Sequence, residues 1–155
     1  KLKSASGRFE EIIYKKKLSK IIIDYAHTPD AMQNVLKLYT NKSFKPSLVF
    51  GCGGERDKSK RKKMSIIANK YAKKVYLTDD NPRNENANLI RKTLKKYCQK
   101  ARDISNRRLA IQTAISEMHQ KDILIIAGKG HEKYQIIKNK NYLFDDFKVA
   151  KDFIK

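Results

Sequence analysis

Short β-branched runs and helical repeats take turns along almost the whole sequence, and few folds are open to a chain built that way. Phe9 to Tyr14 and Lys20 to Tyr25 read as strands on either side of the polar stretch Lys15–Ser19. From Thr28 the period changes: Ala31, Met32, Val35, Leu36 and Tyr39 recur at helical spacing, with Pro29 suited to the first turn and Thr28 to the cap. Ser47–Phe50 is a short apolar strand, and Lys60 to Tyr71 a helix with Met64, Ile67, Ala68 and Tyr71 on one face. Val75–Thr78 is the next strand, followed by a helix from about Asn86 to Gln99 and a short strand near Ile104. Arg107–Met118 reads as a helix, with Leu109, Ala110, Thr113 and Ala114 spaced for packing, and Asp122–Ala127 is the most apolar strand. Tyr134–Lys138 and Tyr142–Phe144 predict a hairpin around Asn139–Asn141, and Asp146–Ile154 a closing helix. Strands separated by helices cannot pair as tight hairpins and need crossovers, so a mostly parallel sheet with helices on both faces is expected. The predicted class is α/β, Rossmann-like, with a C-terminal β-hairpin and helix.

With 155 residues the chain can bury one domain-sized core. The formal net charge of +20 sets up a field that attracts anions without any designed site. Only eight of the 36 basic residues are Arg, the side chain suited to bidentate phosphate and base contacts, and the lysines are scattered. The aromatic residues do not interleave with them in an RNA-binding pattern. A solvated lysine surface is therefore expected, with no specific nucleic acid and no membrane as partner; a basic nucleic-acid-binding module is the alternative from another class. No apolar run has membrane-spanning length and no signal pattern opens the sequence. Cys52 and Cys98 match no metal spacing and read as reduced thiols, so a cytoplasmic location is expected. A chain that begins at Lys1 rather than Met is read as a fragment.

In open α/β sheets ligands bind beyond the carboxyl ends of the strands. The polar clusters lie there, after Ile23, Phe50, Thr78 and Ala127. In Asp24-Tyr25-Ala26-His27-Thr28-Pro29, Asp24 could accept from ribose hydroxyls, or Thr28 could simply cap the helix with His27 a polar loop residue. Gly51-Cys52-Gly53-Gly54-Glu55-Arg56-Asp57 matches neither the dinucleotide fingerprint nor the Walker loop. The segment reads first as a tight turn with a surface ion pair; alternatively its glycines allow close backbone approach and Arg56 could clamp a carboxylate. In Asp80-Asn81-Pro82-Arg83 the proline restricts how an amide and a guanidinium are presented, a pairing suited to an amino-acid carboxylate or to a plain Asn-Pro turn. Gly128-Lys129-Gly130-His131-Glu132 sets small residues beside charged ones, and Glu132 would attract an ammonium. No further ligands join His131 and Glu132 in a metal site.

Taken together and in order, these four segments resemble the Mur ligase family, and Gly7-Arg8-Phe9-Glu10 resembles the segment that leaves its central domain. The resemblance implies residues 1–10 as a linker from a central ATPase domain and 11–155 as the C-terminal amino-acid-binding domain. It implies ligation of UDP-N-acetylmuramoyl-L-Ala-D-Glu to meso-diaminopimelate, through an acyl phosphate made from ATP. L-lysine is the alternative amino acid within the family. Carried over, Arg56, Asp80, Asn81, Pro82, Arg83, Gly128 and Glu132 would hold the diamino acid, with Arg83 deciding between the two. Arg8, Asp24 and His27 would lie at ATP, and no catalytic or metal-binding residue is expected here. The family's Walker loop and magnesium ligands have no counterpart, so ATP and Mg2+ would be bound mainly elsewhere and the isolated domain would be inactive. Glu55, Ser59 and Lys62 depart from the family pattern in the glycine-rich loop and the helix after it.

Overall fold

A computed structural model describes residues 8–155. Its main sheet has six strands in the order β1-β2-β6-β3-β4-β5: β1 (Glu10–Tyr14), β2 (Ser19–Asp24), β6 (Ile123–Ala127), β3 (Ser47–Phe50), β4 (Val75–Leu77) and β5 (Arg102–Asp103). β1 runs antiparallel to β2, and every other pairing is parallel. Having stepped outward through β3, β4 and β5, the chain returns to lay β6 between β2 and β3. The loops that leave β2, β6, β3 and β4 therefore lie side by side along one edge.

The two faces of the sheet follow from side-chain alternation. Ile22, Leu48, Phe50, Leu77 and Ile125 pack beneath α1 (Pro29–Leu38), α2 (Ser59–Tyr71) and α3 (Ala87–Tyr97), against Met32, Leu36, Met64, Ala68, Ile90 and Leu94. Ile21, Ile23, Val49, Tyr76, Leu124 and Ile126 face α4 (Arg107–Ser116) and α5 (Asp146–Phe153) through Ala110, Ile111, Ala114, Val149 and Ala150. Each fully buried Ile or Leu is worth about 1.5–3 kcal/mol, so the strands buried on both faces anchor the domain. Thr28, Asn86, Asn106 and Asp145 cap α1, α3, α4 and α5 with their side chains.

Several boundaries differ from expectation. Phe9 lies outside β1, with φ 52°. On α4 the core face is Ala110, Ile111, Ala114 and Ile115, and Leu109 is 54% exposed. Ile111 and Ile115 take the core side, on the same stripe as buried Arg107, and Leu109 lies off it. β7 (Tyr134–Ile137) and β8 (Lys140–Leu143) pair Ile137 with Lys140, so the turn is Lys138-Asn139, tighter than expected, with Lys138 at φ 55°.

Arg107 and Asp146 have no solvent exposure. The guanidinium engages the carboxylate bidentately, Nε to Oδ1 and Nη2 to Oδ2 both at 2.8 Å, and Nη2 also donates to the Ala127 carbonyl at 3.1 Å. One ion pair thus ties α4 and α5 to the end of the central strand. Asp146→Ala would leave a buried, uncompensated guanidinium, and a loss of about 3–5 kcal/mol is expected. Urea unfolding of the chain checks this through a lowered midpoint with an unchanged slope.

Candidate binding site at the strand ends

The glycine-rich loop after β3 lies directly on the backbone that follows β4. A Cβ on Gly51 would meet the Thr78 carbonyl oxygen at 2.1 Å, and one on Gly54 the Pro82 carbonyl oxygen at 2.0 Å. Only glycine permits this approach. The two loops are joined by Gly54 N–H donating to the Asn81 carbonyl at 2.9 Å, and by Arg83 Nη1 donating to the Gly54 carbonyl at 2.9 Å. Arg83 itself has φ 53° and exchanges backbone hydrogen bonds with Ile136 and Lys138, which docks the β7–β8 hairpin on the same loop.

Beneath the glycine loop, buried Arg61 of α2 donates to both Glu85 oxygens at 2.8 and 2.9 Å and to the Gly53 carbonyl at 3.1 Å. Glu85 also accepts from the Glu55 N–H at 3.1 Å. The hydrogen bonds from Arg61, reinforced by that N–H, hold the Glu85 carboxyl down at about 2.

Lys129 is wholly buried at the centre of the strand-end loops. Its ammonium donates to Asn81 Oδ1 at 2.7 Å and to the Tyr134 carbonyl at 2.9 Å. It lies 3.0 Å from Asp80 and 3.5 Å from Glu132. Gly128, at φ 113°, turns the chain so that the next side chain enters this cluster. Asn81 is equally committed: Oδ1 also accepts from the Ile136 N–H at 3.0 Å, and Nδ2 donates to Glu132 at 3.3 Å.

Above these groups opens a cavity of about 200 Å³, lined by Tyr25 and His27 after β2, Gly53, Arg56 and Lys60 after β3, Asp80, Asn81 and Arg83 after β4, and Gly128 and Glu132 after β6. All four strand-end clusters meet there. Arg56, Lys60 and Arg83 provide cations, while Asp80 and Glu132 share one lysine and leave an acidic surplus. Such a surface can bind a carboxylate and an ammonium of one small zwitterion. Of the seven expected amino-acid residues, six line the cavity; buried Pro82 stands behind it and shapes the loop.

A second cavity of about 360 Å³ is lined by Arg8, Phe9, Asp24, Tyr25, Ala26, His27 and the start of α1. Asp24 is nearly buried, and its two oxygens accept from the Phe9 N–H at 3.1 Å and the Ala26 N–H at 2.8 Å. His27 Nδ1 lies 2.8 Å from the Tyr25 carbonyl. Of the expected linker, residues 1–7 fall outside the described residues, and Glu10 already belongs to β1. Among the described residues no three His, Cys, Asp or Glu side chains gather as a metal site. Burial pushes the Cys52 thiol up to about 12, which leaves it an unreactive core residue. A larger cavity of about 470 Å³ at the opposite end of the sheet, around Lys42, Phe44, Lys73 and Asp122, gathers no comparable set. Sequence reasoning missed the Arg61–Glu85 and Lys129 clusters. The only signal was a lysine set between two glycines at a strand end.

A mostly parallel sheet with helices on both faces and opposite charges gathered over its strand ends defines a domain of the Rossmann-like class. The family model described as "Mur ligase, glutamate ligase domain" matches residues 7–130, and the chain belongs to the Mur ligase family. The UDP-N-acetylmuramoyl-L-alanyl-D-glutamate–2,6-diaminopimelate ligase of Rickettsia rickettsii is 46% identical, over 99% of this chain and 32% of its own length. The ligase of the same name from Alkaliphilus oremlandii is 42% identical over 96% of this chain and 31% of its own. A solved structure bearing that name superposes with a TM-score of 0.87 at 39% identity, covering 99% of this chain and 32% of that one. Folylpolyglutamate synthase from Thermotoga maritima shares the fold, with a TM-score of 0.58 at 23% identity over 81% of this chain and 28% of that one. The chain thus spans about a third of the length of the curated relatives it matches.

Glu85 gives the glycine loop an acid limit. Its folded carboxyl lies near 2 against an ordinary 4.5, so its contribution is complete above 4.5 and disappears as pH falls towards 2. Thermal melts between pH 6 and pH 3 should show the native chain losing stability that Glu85→Gln, already lacking the charge, does not lose over that range.

Proposed function

We propose that this chain is the amino-acid-recognising domain of an ATP-dependent amide ligase that adds meso-diaminopimelate to UDP-N-acetylmuramoyl-L-Ala-D-Glu. The observation that carries this reading is the cavity lined together by the cations of Arg56 and Arg83 and the carboxylates of Asp80 and Glu132. Diaminopimelate has a carboxylate and an ammonium at each end. Its distal carboxylate would take the guanidinium of Arg83 or Arg56, and its distal ammonium the acidic pair around Lys129. Lysine has no distal carboxylate and would leave the arginine unpaired, a loss of about 1.5–3 kcal/mol or more. Asn81 and Pro82 serve by fixing the loop, Asn81 through its bonds to Lys129 and Glu132.

ATP, with Mg2+ held mainly by the rest of the protein, would meet this domain at the second cavity through Arg8 and His27. Asp24 fixes the backbone at Phe9 beside Arg8 and has nearly no exposed surface of its own. In the reaction the glutamate side-chain carboxylate attacks the γ-phosphorus and ADP departs. The amine of the diamino acid then attacks the acyl carbon and phosphate leaves. Closure of this domain over the central one would keep water from the acyl phosphate. No helix among the described residues is long and apolar enough to cross a membrane, and the cytoplasm is the proposed location.

The test is phosphate release by the full-length protein with ATP, the UDP-muramoyl dipeptide and either diamino acid. Turnover with meso-diaminopimelate and not L-lysine is expected, and Arg83→Ala should raise the KM for diaminopimelate about 10- to 100-fold. Turnover with lysine alone would overturn the reading of Arg83. Turnover with neither, together with base-selective nucleic-acid binding at physiological salt, would favour the basic-module alternative.

A further inference from the structure

Tyr25 and His27 are the residues that line both cavities. The Tyr25 backbone is fixed on each side. Asp24 Oδ1 accepts from the Ala26 N–H at 2.8 Å, and Gly128 N–H donates to the Asp24 carbonyl at 3.1 Å, joining the ends of β2 and β6. Its side chain is held differently. The half-buried ring sits with its centroid 4.4 Å from His27 and 5.2 Å from His131, and among the described residues no group hydrogen-bonds its hydroxyl. Burial and the negative charges of Glu132 and Asp80 push its phenol up while Arg8 pulls it down, so it senses charges belonging to both cavities. Rings in tilted contact at a fixed strand end form a wall between the two cavities.

We propose that Tyr25 is a positioning residue that couples the two cavities, its ring being the partition through which occupancy of one alters affinity in the other. This rests on the reading that one cavity takes the diamino acid and the other the nucleotide. A substrate ammonium at Glu132 shifts the residue next to His131, and His131 bears on the Tyr25 ring. The ring bears on His27, whose carbonyl accepts from Lys60 Nζ at 3.1 Å, and Lys60 lines the amino-acid cavity in turn. Coupling of this kind is reciprocal: the factor by which the amino acid changes nucleotide affinity equals the factor in the other direction.

The experiment is calorimetric titration of the full-length protein with adenylyl imidodiphosphate and Mg2+, with and without saturating meso-diaminopimelate, and then in the reverse order. About a fivefold or larger change in each affinity is expected, equal in both directions. Tyr25→Ala should bring the ratio below about twofold, and Tyr25→Phe, which keeps the ring, should preserve it. His131→Ala, an exposed site, should weaken it as Tyr25→Ala does and stands in if the latter does not fold. A wild-type protein that binds both ligands independently, or alanine variants that keep the wild-type ratio, would overturn the coupling and leave the proposed function standing. No binding of meso-diaminopimelate to the wild-type protein would overturn both.

Discussion

A lysine with no contact to solvent must be surrounded by groups that replace its water, and at Lys129 several of those groups also line the strand-end cavity. Asp80 and Asn81 come from the loop after β4, Glu132 from the loop after β6, and the Tyr134 carbonyl from the hairpin. The loop after β4 and the stretch from β6 into the hairpin, distant in sequence, are therefore ordered together by one charge. The acidic arm of the cavity is the outer surface of that charge's coordination. An apolar side chain at Lys129 would leave the Asp80 and Glu132 carboxylates without their shared cation, while the bonds of Asn81 and Arg83 to the hairpin would still join the loops.

Two other buried cations extend the same logic. Arg107 closes the far helices on the end of β6 through Asp146, and Arg61 closes α2 on the glycine loop through Glu85. In these two of its eight arginines the planar fork is used internally, satisfying a carboxylate and a carbonyl together. Arg56 and Arg83 remain at the cavity. The large lysine surplus lies mostly at the surface and contributes little to this framework.

The fold was largely legible because strand and helix periods are unambiguous here, and a strand-end rule then places the polar clusters. Convergence of Arg56, Asp80, Arg83 and Glu132 followed from that rule together with the family resemblance. Less legible was what each side chain does. Asp24 looks the same in sequence whether it faces a ribose or its neighbours' N–H groups, and here both oxygens are engaged by Phe9 and Ala26. Leu109 was misplaced: the buried stripe of α4 runs through Ala110, Ile111, Ala114 and Ile115 and is headed by Arg107, a charged residue that periodicity does not assign to a core. A buried ion pair has no periodicity. Lys129 and Glu85 become visible only when their partners, far away in the chain, are set beside them.

The insertion of β6 has a consequence for how the domain forms. β2 and β3 are not neighbours, and the strand that joins them is the last of the six to be made. Until Ile123–Ala127 emerges, the β1–β2 hairpin and the β3–β4–β5 half share no strand pairing, and the packing of α1 on α2 joins them. High sequence separation between pairing strands slows folding, because loop entropy is lost before the contacts repay it. Completion of the sheet and completion of the cavity therefore wait on the same strand.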